Sequence, residues 1–357
     1  MPAHWLNVKF YKEAVSGFAL YDPEEWLPTL RFDISGSFMA MPFLFISIVS
    51  IGLTVYLELF PEHQKAFEMP LDAHVMLGGA LSFLVVMRTD ASMKRWQDAR
   101  GAWQTVFNCI TNLAYQTAPL LKDAVSTEIF LMQLMAFSMS LKAFLRDTKV
   151  EKQECGPRMD WQFMRQLNAS TCPPLQALKV LSETCRTSVP EDGKLTSAIF
   201  DEVSEQIRVT NHAVGTMTTI KTTPMTKGYV TTLRSFLILW LATLPLAMLP
   251  KYGWEATPVM LFISYLFLSI EKMAVAIEQP FGDDADDLPQ EQYIMEIEES
   301  LLEQIPGHEP EPDDDEEDAA PHWRGLPSGM PPGRYYMDVP ARGPMGGPPP
   351  GWVPSHA

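Results

Sequence analysis

Histidine and cysteine are the side chains of this sequence best suited to act as bases, nucleophiles or metal ligands, and their spacing suits none of these roles. The seven histidines, His4, His63, His74, His212, His308, His322 and His356, form no ligand spacing. The four cysteines, Cys109, Cys155, Cys172 and Cys185, form neither a CxxC unit nor a Cys/His cluster. With no phosphate loop and no nucleophile motif, the sequence does not read as an enzyme. Two other runs concentrate charge and aromatic rings: Arg88-Thr89-Asp90-Ala91-Ser92-Met93-Lys94-Arg95-Trp96, continuing to Arg100 and Trp103, and Glu278-Gln279-Pro280-Phe281-Gly282-Asp283-Asp284-Ala285-Asp286-Asp287-Leu288-Pro289. Each directly follows an apolar segment, so those segments are the elements to place first.

Apolar residues cluster into four blocks. Residues 34–57 carry no charge over 24 positions, more than the ~20 that a helix needs to cross the hydrocarbon core. The blocks 73–87, 235–250 and 256–270 have only 15 or 16 uncharged residues each. Each must extend through a flanking charge, such as Arg234 or the pair Glu271 and Lys272, whose long side chains can snorkel to the interface. Spans are therefore predicted at 34–59, 71–88, 229–250 and 256–277. A fifth stretch, 129–141, is uncharged for 13 residues and fits a buried helix outside the membrane better than a span. His74 falls within a span, where packing or a backbone hydrogen bond accounts for it as well as contact with a passage does.

Lys and Arg orient the spans, because inner loops are enriched in them. The short connections 60–70 and 251–255 hold one base each, Lys65 and Lys251, while Arg88, Lys94, Arg95, Arg100, Lys221 and Lys227 flank the long middle segment. A multi-pass protein follows, with residues 89–228 and both termini on the cytosolic, or stromal, side. The net charge of −17 is unevenly spread: residues 278–357 hold 19 acids and three bases, leaving 24 bases against 25 acids in the body. A near-neutral body has no nucleic-acid footprint. All four cysteines fall in the inner segment, where reduced structural thiols are expected. The N-terminus shows neither a secretory signal nor an obvious transit peptide, and plasma and organelle membranes both remain open.

The chain divides into an interfacial segment 1–33, spans one and two at 34–88, an inner helical domain 89–228, spans three and four at 229–277, an acidic loop and helix 278–305, and a tail 306–357. In the first, Trp5, Phe10, Tyr11, Phe18, Tyr21 and Trp26 alternate with Lys9, Lys12 and Arg31, which suits either the membrane interface or packing on the inner domain. Trp96, Trp103, Phe107, Ile110 and Ala114 form a helical stripe that continues the second span inward. Further helices are expected at 126–147, 174–186 and 195–221, with no period-two alternation anywhere, hence an all-α protein. Asp287 or Leu288 starts a last helix with Pro289 at its first position, running to Gln304. Beyond it, six consecutive acids at 313–318 and a Pro/Gly-rich stretch are expected to stay disordered, as solvated tail or as a segment that binds a partner.

The two signatures resemble those of the bestrophin family of anion channels. The first family pattern, close to F-R-T/N-N-x-S-Y-x-R-W/F-W-E-G-R-x-x-W, is kept at Arg88, Thr89, Ser92, Arg95, Trp96, Arg100 and Trp103, and departs at Met87, Asp90, Met93, Gln97 and Ala99. The second, E-x-P-F-G-x-D-x-x-D-L/F, is matched at Glu278, Pro280, Phe281, Gly282, Asp284, Asp287 and Leu288. Residues 223–234 also look like the family's entry into the third span, and the resemblance covers residues 30–305. It implies an all-α membrane protein with four transmembrane helices per subunit and a helical cytosolic-side domain, assembled as a homopentamer around one pore lined by the second span. The implied apolar neck falls at Val75, Met76, Gly79, Ala80 and Phe83. Lacking the large apolar triad of some relatives, that neck should be wider. Chloride and bicarbonate are equally implied as permeant ions, alongside membrane lipid and the other subunits as partners. No cofactor is required. Animal members bind Ca2+ at the acidic loop, which carries over as Asp284 and Asp287 side chains with Ala276 and Gln279 carbonyls; otherwise those acids serve the next helix's N-terminus. A different class remains beside the channel: a membrane-anchored scaffold whose acidic, Pro-rich tail recruits partners.

Overall fold

The computed structural model describes residues 4–15, 37–66, 69–189 and 193–305. Expectations for residues 16–36, the break at 190–192 and the 306–357 tail lie outside the described residues. Ten α-helices fill the described part: α1 (Val8–Val15), α2 (Ser37–Leu59), α3 (Leu71–Thr117), α4 (Ala124–Leu145), α5 (Trp161–Asn168), α6 (Pro173–Ser188), α7 (Gly193–Thr222), α8 (Lys227–Tyr252), α9 (Ala256–Ala276) and α10 (Gln290–Leu302). Among the described residues there is no strand, only an isolated antiparallel bridge between Leu6 and Cys155.

The 47 residues of α3 organise the molecule. At 1.5 Å per residue the helix is about 70 Å long, more than twice the ~30 Å hydrocarbon core, so it serves two environments. Its first half packs on α8 and α9, which in turn carry α2, in an apolar cluster that includes Met39, Ile46, Leu81, Val85, Leu237, Leu241 and Met260. Its second half packs with α7 and α10 against a larger core that includes Trp103, Ile110, Phe130, Phe137 and Leu181.

Among the described residues, four stretches are long and apolar enough to cross a membrane: Met39–Leu59, Leu71–Leu120, Ala124–Leu145 and Lys227–Ala276. Burial separates them. Two thirds of the apolar window in α4 is buried inside the molecule, against 17% to 28% in the others, so α4 is the core helix of the inner half. The 50-residue stretch Lys227–Ala276 is two helices, α8 and α9, joined by a 3-10 turn at Gly253–Glu255. Gly253 takes φ +62°, the left-handed conformation that lets α8 end and the chain fold back. Near that end the Thr54 and Thr257 hydroxyls join α2 to α9 at 2.9 Å. Together these features make an integral membrane protein with a helical inner domain.

Two of the N-terminal aromatics, Trp5 and Tyr11, resolve as packing, almost wholly buried in the inner core with Leu6. Trp5 and His4 lend carbonyls to Gly156 and Arg158, Asn7 donates its amide to Glu154, and Leu6 donates to the Glu298 carboxylate of α10 at 2.7 Å. The N-terminal and C-terminal described segments thus meet on one side. The last helix begins at Gln290 with Pro289 as its N-cap, one position later than expected.

Candidate functional site

Successive residues of the membrane half of α3 have opposite surroundings. Gly78 faces inward: a Cβ there would lie 2.7 Å from the Trp240 ring. His74 stacks on the same ring at 4.8 Å, and its carbonyl accepts the Trp240 indole N–H at 3.1 Å. Gly79 faces outward, with nothing within 4 Å of the same construction. It shares that face with Val75, Met76, Ala80 and Phe83, of which Val75, Met76 and Phe83 are 62%, 78% and 64% exposed in one subunit. All five neck candidates therefore lie on an exposed stripe that no other described part of the subunit packs against. A small residue permits close helix packing at Gly78, and His74 belongs to the same packed face.

At the inner end of that stripe stands Arg88, with no exposed surface. Its guanidinium meets Glu278 at 2.5 Å and Ser92 at 2.8 Å, touches the Met225 sulfur, and lies 3.9 Å from Glu271. Glu271 also accepts from Arg234 Nε at 2.8 Å. The sequence reading placed Arg234 and Glu271 as snorkelling flanks with no charge pair in the spans. That expectation is corrected for Glu271, which is 3% exposed and lies in a buried ionic layer with Arg88, while Arg234, 39% exposed, pairs with it from the rim. A lone buried charge is so costly that these helices bring their counter-charges together.

The rest of the first signature reads as a docking strip. Arg95 donates to the Ile220 carbonyl at 2.7 Å, Thr223 at 2.9 Å and Glu278 at 3.2 Å, gathering the C-terminal end of α7 and the segment after α9. Carbonyls at a helix C-terminus carry partial negative charge, which the guanidinium satisfies. Trp96 donates its indole N–H to the Asp286 carbonyl at 3.1 Å, Arg100 sits 4.7 Å over the Tyr293 ring, and Trp103 lies 5.8 Å from the same ring. Glu278 returns the contact by accepting the Met225 amide at 3.0 Å. Burial pushes the Glu278 carboxyl up, but hydrogen bonds from Arg88 and Met225 outweigh it and hold the group below the usual carboxylate value. The two signatures, 190 residues apart in sequence, are therefore complementary halves of one joint.

Residues 23–303 match the family described as bacterial/fungal bestrophin protein. The chain belongs to the bestrophin family. A voltage-dependent anion channel-forming protein of Synechocystis is 26% identical over 257 residues, covering 68% of this chain and 81% of the relative. A protein of the same description from Nostoc is 27% identical over 231 residues, covering 62% of this chain and 73% of the relative. The crystal structure of a bacterial bestrophin homolog from Klebsiella pneumoniae is similar with a TM-score of 0.68 at 26% identity, covering 76% of this chain and 100% of that one.

In this bestrophin the acidic loop is built around its own backbone. Asp287 is 5% exposed, and its carboxylate accepts the Asp284 amide at 2.8 Å, while the Asp287 amide donates to the Asp284 carbonyl at 3.0 Å. Gly282 is required there: a Cβ would lie 2.5 Å from the Asp287 carboxylate. Leu288 donates to the Pro280 carbonyl and the Gln290 side chain to Phe281, which buries Phe281 in the inner core. Asp283 pairs with Arg146 at 3.0 Å. The two carboxylates carried over as cation ligands have different surroundings. Asp287 is folded into the turn, Asp284 is exposed, and among the described residues no three His, Cys, Asp or Glu side chains gather as a metal-holding group. Nor does Asp287 cap α10: its acceptor is taken by the loop.

A second polar cluster escaped the sequence reading. Lys142, 5% exposed within the apolar helix α4, reaches Glu154 at 2.6 Å and the Tyr11 hydroxyl at 3.2 Å, and Glu291 pairs with Arg146 alongside. Its only sequence signal was a lysine inside an otherwise apolar run.

Proposed function

We propose that this chain is one subunit of a passive anion channel, a homopentamer whose axial pore is lined by α3. The observation that carries the reading is the uncovered stripe of that helix. Val75, Met76, Phe83, Val86 and Met87 are 50% to 78% exposed, yet further inward the stripe turns polar at Lys94, Gln97, Gly101 and Asn108, all exposed. Copies arranged around an axis would present that uncovered face as an apolar constriction leading into a polar vestibule. Gly79 and Ala80 leave that constriction wide, and the Phe83 ring offers a positive edge to a passing anion. The relatives described as anion channel-forming proteins support the same reading. Chloride and bicarbonate are both within its reach, and the Lys/Arg distribution supports both termini on the inner side.

The loop geometry supports conduction without a bound cation, since Asp287 already has the Asp284 amide as its partner. Purified protein in liposomes tests all of this. Vesicles should pass chloride down its gradient with no added partner, equally with Ca2+ or with a chelator, and a parallel bicarbonate arm ranks the two ions. Gly79→Phe and Ala80→Phe should each lower the flux about tenfold or more by closing the stripe. Vesicles that stay impermeable would favour the scaffold alternative, and unchanged flux in both variants would remove these positions from the pore wall.

A further inference from the structure

Two positions inward of the buried Arg88, the stripe of α3 that the subunit leaves uncovered gains charge. Gly79, Phe83, Val86, Asp90, Lys94 and Gln97 recur every three or four residues and are all exposed, so they share one face. The other charged residues of α3 are accounted for. Arg88 is held by Glu278 and Glu271, Arg95 by backbone carbonyls, and Arg100 lies over Tyr293. Asp72 stands in the first turn, where an acid serves the helix N-terminus, and Asp98 lines a cleft against α7 with Arg208 and His212. Lys221, at the end of α7, is taken by Asp147. Among the described residues no base forms an ion pair with Asp90, neither Lys94 one turn away nor Lys227 at the start of α8. An exposed carboxylate beside a buried ionic layer is far less costly against water than against lipid, which suits the axis of an assembly.

We infer that Asp90 sets the charge selectivity of the passage: its copies ring the inner mouth of the neck, hold down the preference for anions and admit small monovalent cations beside them, with Lys94 as the counter-charge. At about 1.5 Å per residue, Asp90 lies about 10 Å inward of Phe83 and Lys94 about 16 Å. In ~0.1 M salt the Debye length is ~10 Å, so the nearer carboxylate outweighs the more distant ammonium at the constriction. Low-dielectric walls focus that field, and rings of acids favour cations where rings of bases favour anions. One subunit shows a single carboxylate on the stripe; the axis multiplies it. The inference rests on the channel reading and concerns which ions share the passage, not whether there is one.

Reversal potentials of the purified full chain in planar bilayers, under a potassium chloride gradient, test the role. Asp90→Asn should raise the chloride-to-potassium permeability ratio about threefold or more in ~0.1 M salt, and Lys94→Gln should lower it about twofold or more. Asp90→Glu keeps the charge and should keep the native ratio. Each shift should shrink in ~1 M salt, where the Debye length falls to ~3 Å. An unchanged ratio in conducting Asp90→Asn channels would overturn the inference and leave the channel reading standing. So would a shift that persists undiminished at high salt, which would mark a change of pore shape instead of charge. A native protein that passes no ion at all would remove the pore, and the selectivity role with it.

Discussion

Between Leu71 and Met87, α3 buries His74, Gly78, Leu81 and Val85 and leaves Val75, Met76, Phe83, Val86 and Met87 at least half exposed. From Arg88 to Thr117 the same helix buries Trp103, Val106, Ile110 and Leu113 and exposes Gln97, Asp98 and Asn108. The inner half thus has the amphipathic pattern of a helix on a soluble core, complete within one subunit. The membrane half is apolar on both faces, and only one face has a partner in the subunit. The change occurs at Arg88, where a wholly buried guanidinium replaces apolar packing. Apolar packing tolerates a range of neighbours, whereas a buried charge demands particular ones. The joint therefore fixes how the two halves meet, while the outer stripe is left for an assembly or a passage.

The largest expected effect comes from breaking that joint. Arg88→Leu leaves Glu278 and Glu271 facing each other's charge without their shared partner. Stripping one partner from a buried pair costs about 3–5 kcal/mol, so thermal unfolding in detergent should show a severely destabilised or misassembled protein. Arg88→Leu combined with Glu278→Leu should recover a substantial part of the loss, because burying two apolar side chains is far less costly than burying an unpaired carboxylate. A double variant no better than the single one would mean that Arg88 serves through Ser92 and Met225 instead.

The adjacent glycines give a smaller and cleaner contrast. Gly78→Ala pushes a methyl into the Trp240 ring and should cost about 1–3 kcal/mol through overpacking. Gly79→Ala meets nothing in the subunit and removes a helix glycine, so it should be neutral or stabilising by up to about 1 kcal/mol. Melting temperatures of the two variants in one detergent decide the matter. Equal losses would mean that the Gly79 face is packed just as tightly in the assembled protein.

What the sequence could and could not show follows the same division. The membrane blocks, the long inward continuation of the second span and the Pro280-Phe281-Gly282 turn were legible, because composition and local motifs specify them. The register of the two glycines was not, since it depends on Trp240, 162 positions beyond Gly78 and on a separate helix. Equally hidden was the joint: nothing local ties Arg88 to Glu278, and Glu271 looked like an interfacial flank until α9 turned it inward. The amphipathic N-terminus was ambiguous for the same reason, as periodicity shows that Trp5 and Tyr11 share an apolar environment but not whether lipid or the inner core supplies it.

The smallest effect concerns the inner half's acids, and it is read by pH. Burial pushes the Glu291 carboxyl up, but Arg146 and then Lys142 outweigh it and hold the group below its usual value near 4.5. A carboxyl depressed in the folded state contributes stability that is fully present above its unfolded value and is lost as pH falls through the folded one. Asp287 runs the other way: burial, the largest influence, raises it above 3.8, so acidification through its range relieves a buried charge. As pH falls from neutral through the raised Asp287 range toward 3.8 the Asp287 contribution should improve, whereas the Glu291 contribution, complete above 4.5, should fall away as pH drops below that value. Asp287→Asn keeps an acceptor for the Asp284 amide and removes the charge, so its melting curve at neutral pH should lie within about 1 kcal/mol of the native protein's and lose the rise on mild acidification. Glu291→Gln should instead lower stability at neutral pH and flatten the loss in strong acid. If Asp287→Asn were strongly destabilising at neutral pH, the loop itself would need its negative charge.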